Sequence, residues 1–151
     1  MDYVICQLTP ADELVLWEML YQALHTSEGA PPRDTVKRPE FARYVEGWGH
    51  AGDTGFVARD KRAGELLGAV WIRLFTSEQD PTPNIAFAVK SGHRRRGIGA
   101  ALLTQLVKAT PQYSAISIRA SASNPAVRLY ERFGFKIVRE TKGSVTMRRE
   151  T

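Results

Sequence analysis

The sequence is short of cysteine, of long apolar runs and of repetition. With a single cysteine, Cys6, the chain can form neither an internal disulfide nor a thiolate-cluster metal site. That usage suits a reducing compartment. Cys6 itself falls in an apolar run and reads as a core filler rather than a nucleophile. There is no run of about 20 apolar residues to cross a bilayer and no secretory h-region. A cytoplasmic location away from membranes is the expectation. No internal repeat or low-complexity tract is visible.

What remains is the composition of a globular domain. At 43% hydrophobic and 25% charged, 151 residues suffice for one domain, 1–151, with one core. The formal charge of +5 is a modest excess. Nucleic acid, a membrane surface or an anionic cofactor could each account for it. Much of it lies in Arg94, Arg95 and Arg96 and in the pair Arg148-Arg149.

The most informative stretch is His93-Arg94-Arg95-Arg96-Gly97-Ile98-Gly99-Ala100-Ala101-Leu102-Leu103. A strand-like run, Ile85-Ala86-Phe87-Ala88-Val89, feeds into it, and a helical pattern to about Ala109 leaves it. Closely spaced glycines let backbone approach a ligand. The first amides of a helix have no intrahelical partners and can donate to phosphate oxygens. The helix dipole and the arginines add positive potential. These features read as an anion cradle, with a pyrophosphate as the leading candidate.

The rest of the chain reads as alternating short elements. A first strand spans 3–8. Thr9-Pro10 caps a helix whose apolar face carries Leu14, Leu16, Trp17, Leu20, Tyr21 and Leu24. After a Gly- and Pro-rich loop, a second short helix follows Pro39 and ends by Gly47 and Gly49. Residues 55–58 and 66–75 form a hairpin around Asp60-Lys61-Arg62-Ala63-Gly64. The fourth strand covers 84–89 and the fifth 115–120. Asn124 and Pro125 open a last helix, which Gly134 stops. Two antiparallel strands, 135–139 and 144–148, close the chain. The order β-α-α-β-β-β-α-β-α-β-β implies an α/β (α+β) fold, a mixed sheet of six to seven strands covered on both faces. The crossover through the Gly97 helix should set the fourth and fifth strands side by side and parallel.

The chain resembles the GCN5-related N-acetyltransferase (GNAT) superfamily. The family pattern Arg/Gln-x-x-Gly-x-Gly/Ala matches Arg94-Arg95-Arg96-Gly97-Ile98-Gly99, and a second element matches the stretch from Asn124 through Tyr130 to Phe135. The resemblance spans nearly the whole chain. It implies a mostly antiparallel sheet that splays between its two central parallel strands. It implies that backbone around Arg95, Arg96, Gly97, Ile98, Gly99 and Ala100, reinforced by Arg94, holds the pyrophosphate of acetyl-CoA. Pantetheine would pair with Phe87, Ala88 and Val89, Asn124 would lie near it, and Tyr130 would sit beside the thioester sulfur. The domain would then be an N-acetyltransferase acting on a primary amine of a small molecule or peptide, by direct transfer in a ternary complex. Many members dimerise, so a homodimer is one expectation.

The chemistry of Tyr130 supports the same role independently. Transfer from a thioester to an amine needs a neutral nucleophile, a polarised carbonyl and a protonated leaving thiolate. A phenol, with an ordinary pKa near 10, is protonated at neutral pH and can donate as sulfur leaves. The alternative is that Tyr130 only packs on the sheet. The base is less defined, because the fourth strand carries no acid. Glu28, Glu46, His50, Glu78, Asp80 and water are all open candidates. Trp17, Tyr21, Tyr44, Trp48 and Trp71 compete for roles in the acceptor pocket or the core. Residues 25–53 are the main candidate for acceptor contact. Two rival functions are a catalytically weak acyl-CoA-binding sensor and a nucleic-acid module built on the arginine cluster. The helix after Gly97 is too apolar for the latter.

Overall fold

The structure is a computed structural model and describes residues 3–24, 29–50, 52–74, 82–90 and 97–150. The chain runs through β1 (Tyr3–Gln7), a 3-10 turn (Pro10–Asp12), α1 (Glu13–Ala23), a second 3-10 turn (Arg33–Lys37) and α2 (Pro39–Ala42). It continues through β2 (Thr54–Asp60), β3 (Leu66–Arg73), β4 (Asn84–Val89), α3 (Ile98–Ala109) and β5 (Ala115–Ser121). It ends with α4 (Ala126–Arg132), β6 (Lys136–Thr141) and β7 (Ser144–Glu150). The strands form one seven-stranded sheet in the order β1-β2-β3-β4-β5-β7-β6. Every pairing is antiparallel except β4 with β5. The expected mixed sheet with central parallel strands is therefore present.

Two apolar clusters sandwich the sheet. Alternation along each strand sends successive side chains to opposite faces. On one face Val70, Ile72, Ile85, Ile116, Ile118 and Met147 pack with Leu102, Leu103 and Leu106 of α3 and Tyr130 of α4. On the other, Ala69, Trp71, Ala86 and Ala88 pack with Leu16, Met19 and Leu20 of α1 and with Val45 and Trp48. The apolar face of α3 is thus spent on the sheet. Gly99 permits that fit, because a Cβ there would stand 2.9 Å from Phe87 Cζ and 3.1 Å from Leu129 Cδ2. Among the described residues no helix is long and apolar enough to cross a membrane.

The N-terminal helix begins as the Thr9-Pro10 signal requires. The Thr9 amide donates to Asp12 Oδ2 at 2.7 Å, and the Ala11 amide donates to Thr9 Oγ1 at 3.3 Å. The first turn is 3-10 rather than α, and Leu14, expected on the apolar face, is exposed, off the side that Leu16, Met19 and Leu20 turn to the sheet. The second helix is only one turn long, and turns carry the chain on to Gly47. Cys6 is exposed, which corrects its reading as a core residue. It sits on β1, an edge strand covered incompletely.

A buried ion pair ties this half together. Arg73, at the end of β3, is 8% exposed. Its Nε lies 3.2 Å from Asp53 Oδ1, and both side chains are under 10% exposed, at 9% and 7%. Arg73 also donates to the carbonyls of Arg43 at 3.2 Å and Glu46 at 2.6 Å. Asp53 Oδ2 accepts from the Gly49 and His50 amides. Each charge is thus compensated several times, as burial demands. The pair pins residues 43–50 against the sheet.

Two outcomes follow for stability. Arg73→Met leaves Asp53 buried without its cation and should cost about 3–5 kcal/mol, the usual penalty for breaking a buried pair, read as a lower urea midpoint. Gly99→Ala forces Phe87 or Leu129 to shift and should cost about 1–3 kcal/mol by overpacking. An unchanged midpoint in either variant would contradict the packing described.

Candidate functional site

The sheet is incomplete at its centre. β4 and β5 pair only at Asn84↔Ser117 and Ile85↔Ile118. The Ser117 amide donates to the Pro83 carbonyl at 3.0 Å, and Ser117 Oγ donates to Asn84 Oδ1 at 3.2 Å. The closed end is therefore fastened by main chain and side chain together. Beyond Ile85 the two strands have no pairing.

The open stretch of β4 presents backbone in alternation. The Lys90 amide donates to the Leu67 carbonyl at 2.8 Å. In an antiparallel ladder both backbone groups of a residue face the same neighbour, and the facing alternates along the strand. Ala86, Ala88 and Lys90 therefore turn their main-chain groups to β3, and Phe87 and Val89 turn theirs toward β5. Of the three residues expected to meet pantetheine, Ala88 is spent on β3, opposite Ala69.

The start of α3 closes one end of this gap. Gly97 is its N-cap residue at φ 79°, a left-handed conformation that suits glycine. Among the described residues, its chain neighbours apart, no atom lies within 4 Å of where its Cβ would be. Among the described residues no side chain caps the helix, and its first turn holds no acid. The Ala101 amide bonds back to the Gly97 carbonyl at 3.0 Å. The amides of Ile98, Gly99 and Ala100 precede that bond, so they have no intrahelical acceptor. This end can take an anion. Arg94, Arg95 and Arg96 lie outside the described residues. The two glycines thus differ in purpose: Gly97 supplies the turn, and Gly99 supplies helix-to-sheet packing.

α4 lines the gap on the same face. Asn124 Oδ1 accepts from the Ala126 amide at 2.9 Å, so its side chain caps this helix as expected. Tyr130 is 3% exposed. Its ring meets Phe87 edge-on, centroids 5.7 Å apart at 89°, and lies 6.1 Å from Phe135. Its hydroxyl has no hydrogen-bond partner among the described residues. Burial raises the phenol above its ordinary pKa, because the phenolate would lose its hydration. Tyr130 is therefore a neutral donor throughout the physiological range.

The acceptor side is less furnished than the sequence suggested. Trp71 is fully buried and donates through Nε1 to the Tyr44 carbonyl at 2.8 Å. Trp48 donates to the Thr9 carbonyl at 3.0 Å, and the Tyr21 hydroxyl to the Pro31 carbonyl at 2.9 Å. These three rings are core residues with satisfied polar tips. Trp17 and Tyr44 remain partly exposed. Glu46 and His50 are exposed, whereas Glu28, Glu78 and Asp80 lie outside the described residues. Among the described residues, no group of three or more His, Cys, Asp or Glu could hold a metal ion. Arg73 and Asp53 escaped the sequence reading. An arginine within an otherwise apolar strand was their one available signal.

Comparison with known proteins agrees with this geometry. The PaiA N-acetyltransferase of Thermoplasma acidophilum, solved in complex with coenzyme A, is 14% identical with TM-score 0.70, and the match covers 100% of both chains. A GNAT superfamily phosphinothricin acetyltransferase of Sinorhizobium meliloti, in complex with AcCoA, is 19% identical with TM-score 0.68, over 99% of this chain and 89% of that one. The ribosomal-protein-alanine N-acetyltransferase of Brucella melitensis is 20% identical with TM-score 0.63, over 98% and 99%. A search of curated proteins finds no match. The model of the Acetyltransferase (GNAT) family matches residues 17–135, well over half of the sequence. By that match and by its sheet, the chain belongs to the GNAT acetyltransferase superfamily.

Proposed function

We propose that this chain is an acetyl-CoA-dependent N-acetyltransferase that acts on a primary amine by direct transfer in a ternary complex. The observation that carries the reading is the gap opening after Ile85↔Ile118, bordered by the uncapped start of α3 and by Tyr130. A thioester laid there would supply an activated acetyl group. The residues fit such a molecule: the amides of Ile98, Gly99 and Ala100 meet a pyrophosphate, and the backbone of Phe87 and Val89 meets an amide-rich arm. Arg94, Arg95 and Arg96 precede Gly97 in the sequence and would add positive charge to this end, and Asn124 stands at the neighbouring helix start.

Each group has a task set by its surroundings. The backbone amides of the open β4 stretch polarise an acyl carbonyl. Tyr130 donates its proton to the departing thiolate, and its desolvated phenol stays protonated until it does. Proton removal from the amine falls to water or to an exposed group such as His50 or Glu46. The mostly apolar wall formed by Phe87, Tyr130 and Phe135 limits hydrolysis by keeping bulk water from one side.

Two measurements test this. In Tyr130→Phe, kcat for acceptor-dependent CoA release should fall about 100-fold, in the range for loss of a general acid, with KM for acetyl-CoA little changed. Full turnover with a true acceptor would remove Tyr130 from the chemistry. Because burial raises the phenol's pKa, the sign of the pH effect is fixed: the acid form persists as pH rises to about 10, the ordinary phenol value. The wild-type kcat profile should therefore show no Tyr130-dependent fall below about that pH. A descending limb near about pH 8 that vanishes in Tyr130→Phe would overturn the assignment.

A further inference from the structure

Among the described residues, one face of the C-terminal part of the sheet carries no helix. In this three-stranded part β5 sends Ile118 and β7 sends Val145 and Met147 into the core, while β6 lies exposed at the edge. Their other face carries Arg119, Ser121, Ser144, Thr146, Arg139 and Thr141, all exposed or partly exposed. Register stacks these residues in rows: Arg119↔Thr146↔Arg139 and Ser121↔Ser144↔Thr141. Arg119, Arg139, Thr141, Ser144 and Thr146 line a concavity of about 200 Å³. The hydroxyls of Thr141 and Ser144 lie 3.0 Å apart.

A bulge creates this arrangement. The β6–β7 register shifts between Ile137 and Arg139, so Val138 is an extra residue. A bulge reverses which face the following side chains take. Counted without it, Val138 and Glu140 would stand on this face, and Arg139 and Thr141 on the other. With it, a cation enters the rows and a carboxylate leaves them. Neither Arg119 nor Arg139 has an ion-pair partner among the described residues. The acid at the far end, Glu150, lies 3.2 Å from Arg148. Two guanidinium groups lining one concavity repel one another as like charges. An anion would relieve that repulsion and could take paired donors from either arginine.

One lining residue of the concavity, Arg119, adjoins the gap along β5. Ile118 is the last β5 residue paired with β4, and Arg119 follows it. Its side chain projects on the face opposite Tyr130 and α3. A donor bound along α3 and an acceptor bound at Arg119 would therefore approach the gap from opposite faces.

We propose that Arg119 and Arg139, with Thr141, Ser144 and Thr146, form a subsite for an acidic group, a carboxylate or phosphate, on the acceptor amine. This rests on the acetyl-transfer reading above for the acceptor's presence, but the anion site can be tested without it. Arg119→Gln, Arg139→Gln and the double variant alter exposed residues outside the core. Titration of the intact protein with inorganic phosphate at low salt, followed by amide NMR shifts in β5, β6 and β7, should give saturable binding. The double variant should weaken it at least tenfold. Unchanged or absent binding overturns the anion site.

A second arm measures CoA release with matched acceptors: amino acids against their amides, and phosphate-bearing amines against their dephosphorylated forms. Wild type should favour one of the acidic sets, and the variants should raise KM for that set about tenfold with kcat retained. Equal use of the neutral partners, or an unchanged KM in the double variant, overturns the acceptor role while acetyl transfer stands. No CoA release with any amine counts against the acetyl-transfer reading and the acceptor role together, and phosphate titration then decides the anion site alone.

Discussion

The structure depends on a pairing that stops. β4 and β5 are joined at Asn84↔Ser117 and Ile85↔Ile118, and no further. A continuous sheet would satisfy the main chain of Phe87 and Val89 within the protein. Buried or half-buried backbone groups without partners are costly, so the interruption has to be held open by everything around it. Asn84 and Ser117 fasten one end. β3 grips the far side of β4 along its length, and β7 does the same for β5. Phe87, Tyr130 and Phe135 support the helix-covered side. The unpaired amides are thereby kept in place for a ligand rather than lost to a sheet.

The two glycines of the α3 entrance show how a short motif combines separate physical demands. Gly97 answers a backbone demand, a left-handed turn at the helix start. Gly99 answers a packing demand, close approach to Phe87 and Leu129. Since Phe87 also meets Tyr130, the packing of α3 against β4 helps to set the Tyr130 ring beside the gap. Helix placement and site geometry are one problem here.

Much of the fold was legible because its strands alternate and its helices carry ordinary start and stop residues. β4 and α3 match their sequence boundaries, and Asn124 caps α4 as its position suggests. Three features were not legible. Cys6 lies in an apolar run, but a run says nothing about which strand forms the sheet edge. Arg73 stands among apolar neighbours, and its partner Asp53 lies twenty residues away on a separate segment, so only the tertiary fold could join them. The face taken by Arg139 depends on a bulge, a backbone event that side-chain alternation cannot register. Of the candidate site, the position of the α3 start at Gly97 was readable, and Tyr130 falls on the helix read for it, against Phe87. The acceptor side was not, because the aromatic residues offered for it are mostly core.

The bulge at Val138 also bears on how such a surface can change over evolutionary time. Strand β6 lies at the sheet edge and all its residues are exposed, so a slip in its register disturbs little of the interior. If the spare residue passed from Val138 into the turn before Ser144, Val138 and Glu140 would replace Arg139 and Thr141 on the uncovered face together. The charge of this surface is then encoded partly in the place of one bulge, and a lineage could change it without substituting any residue of the strand.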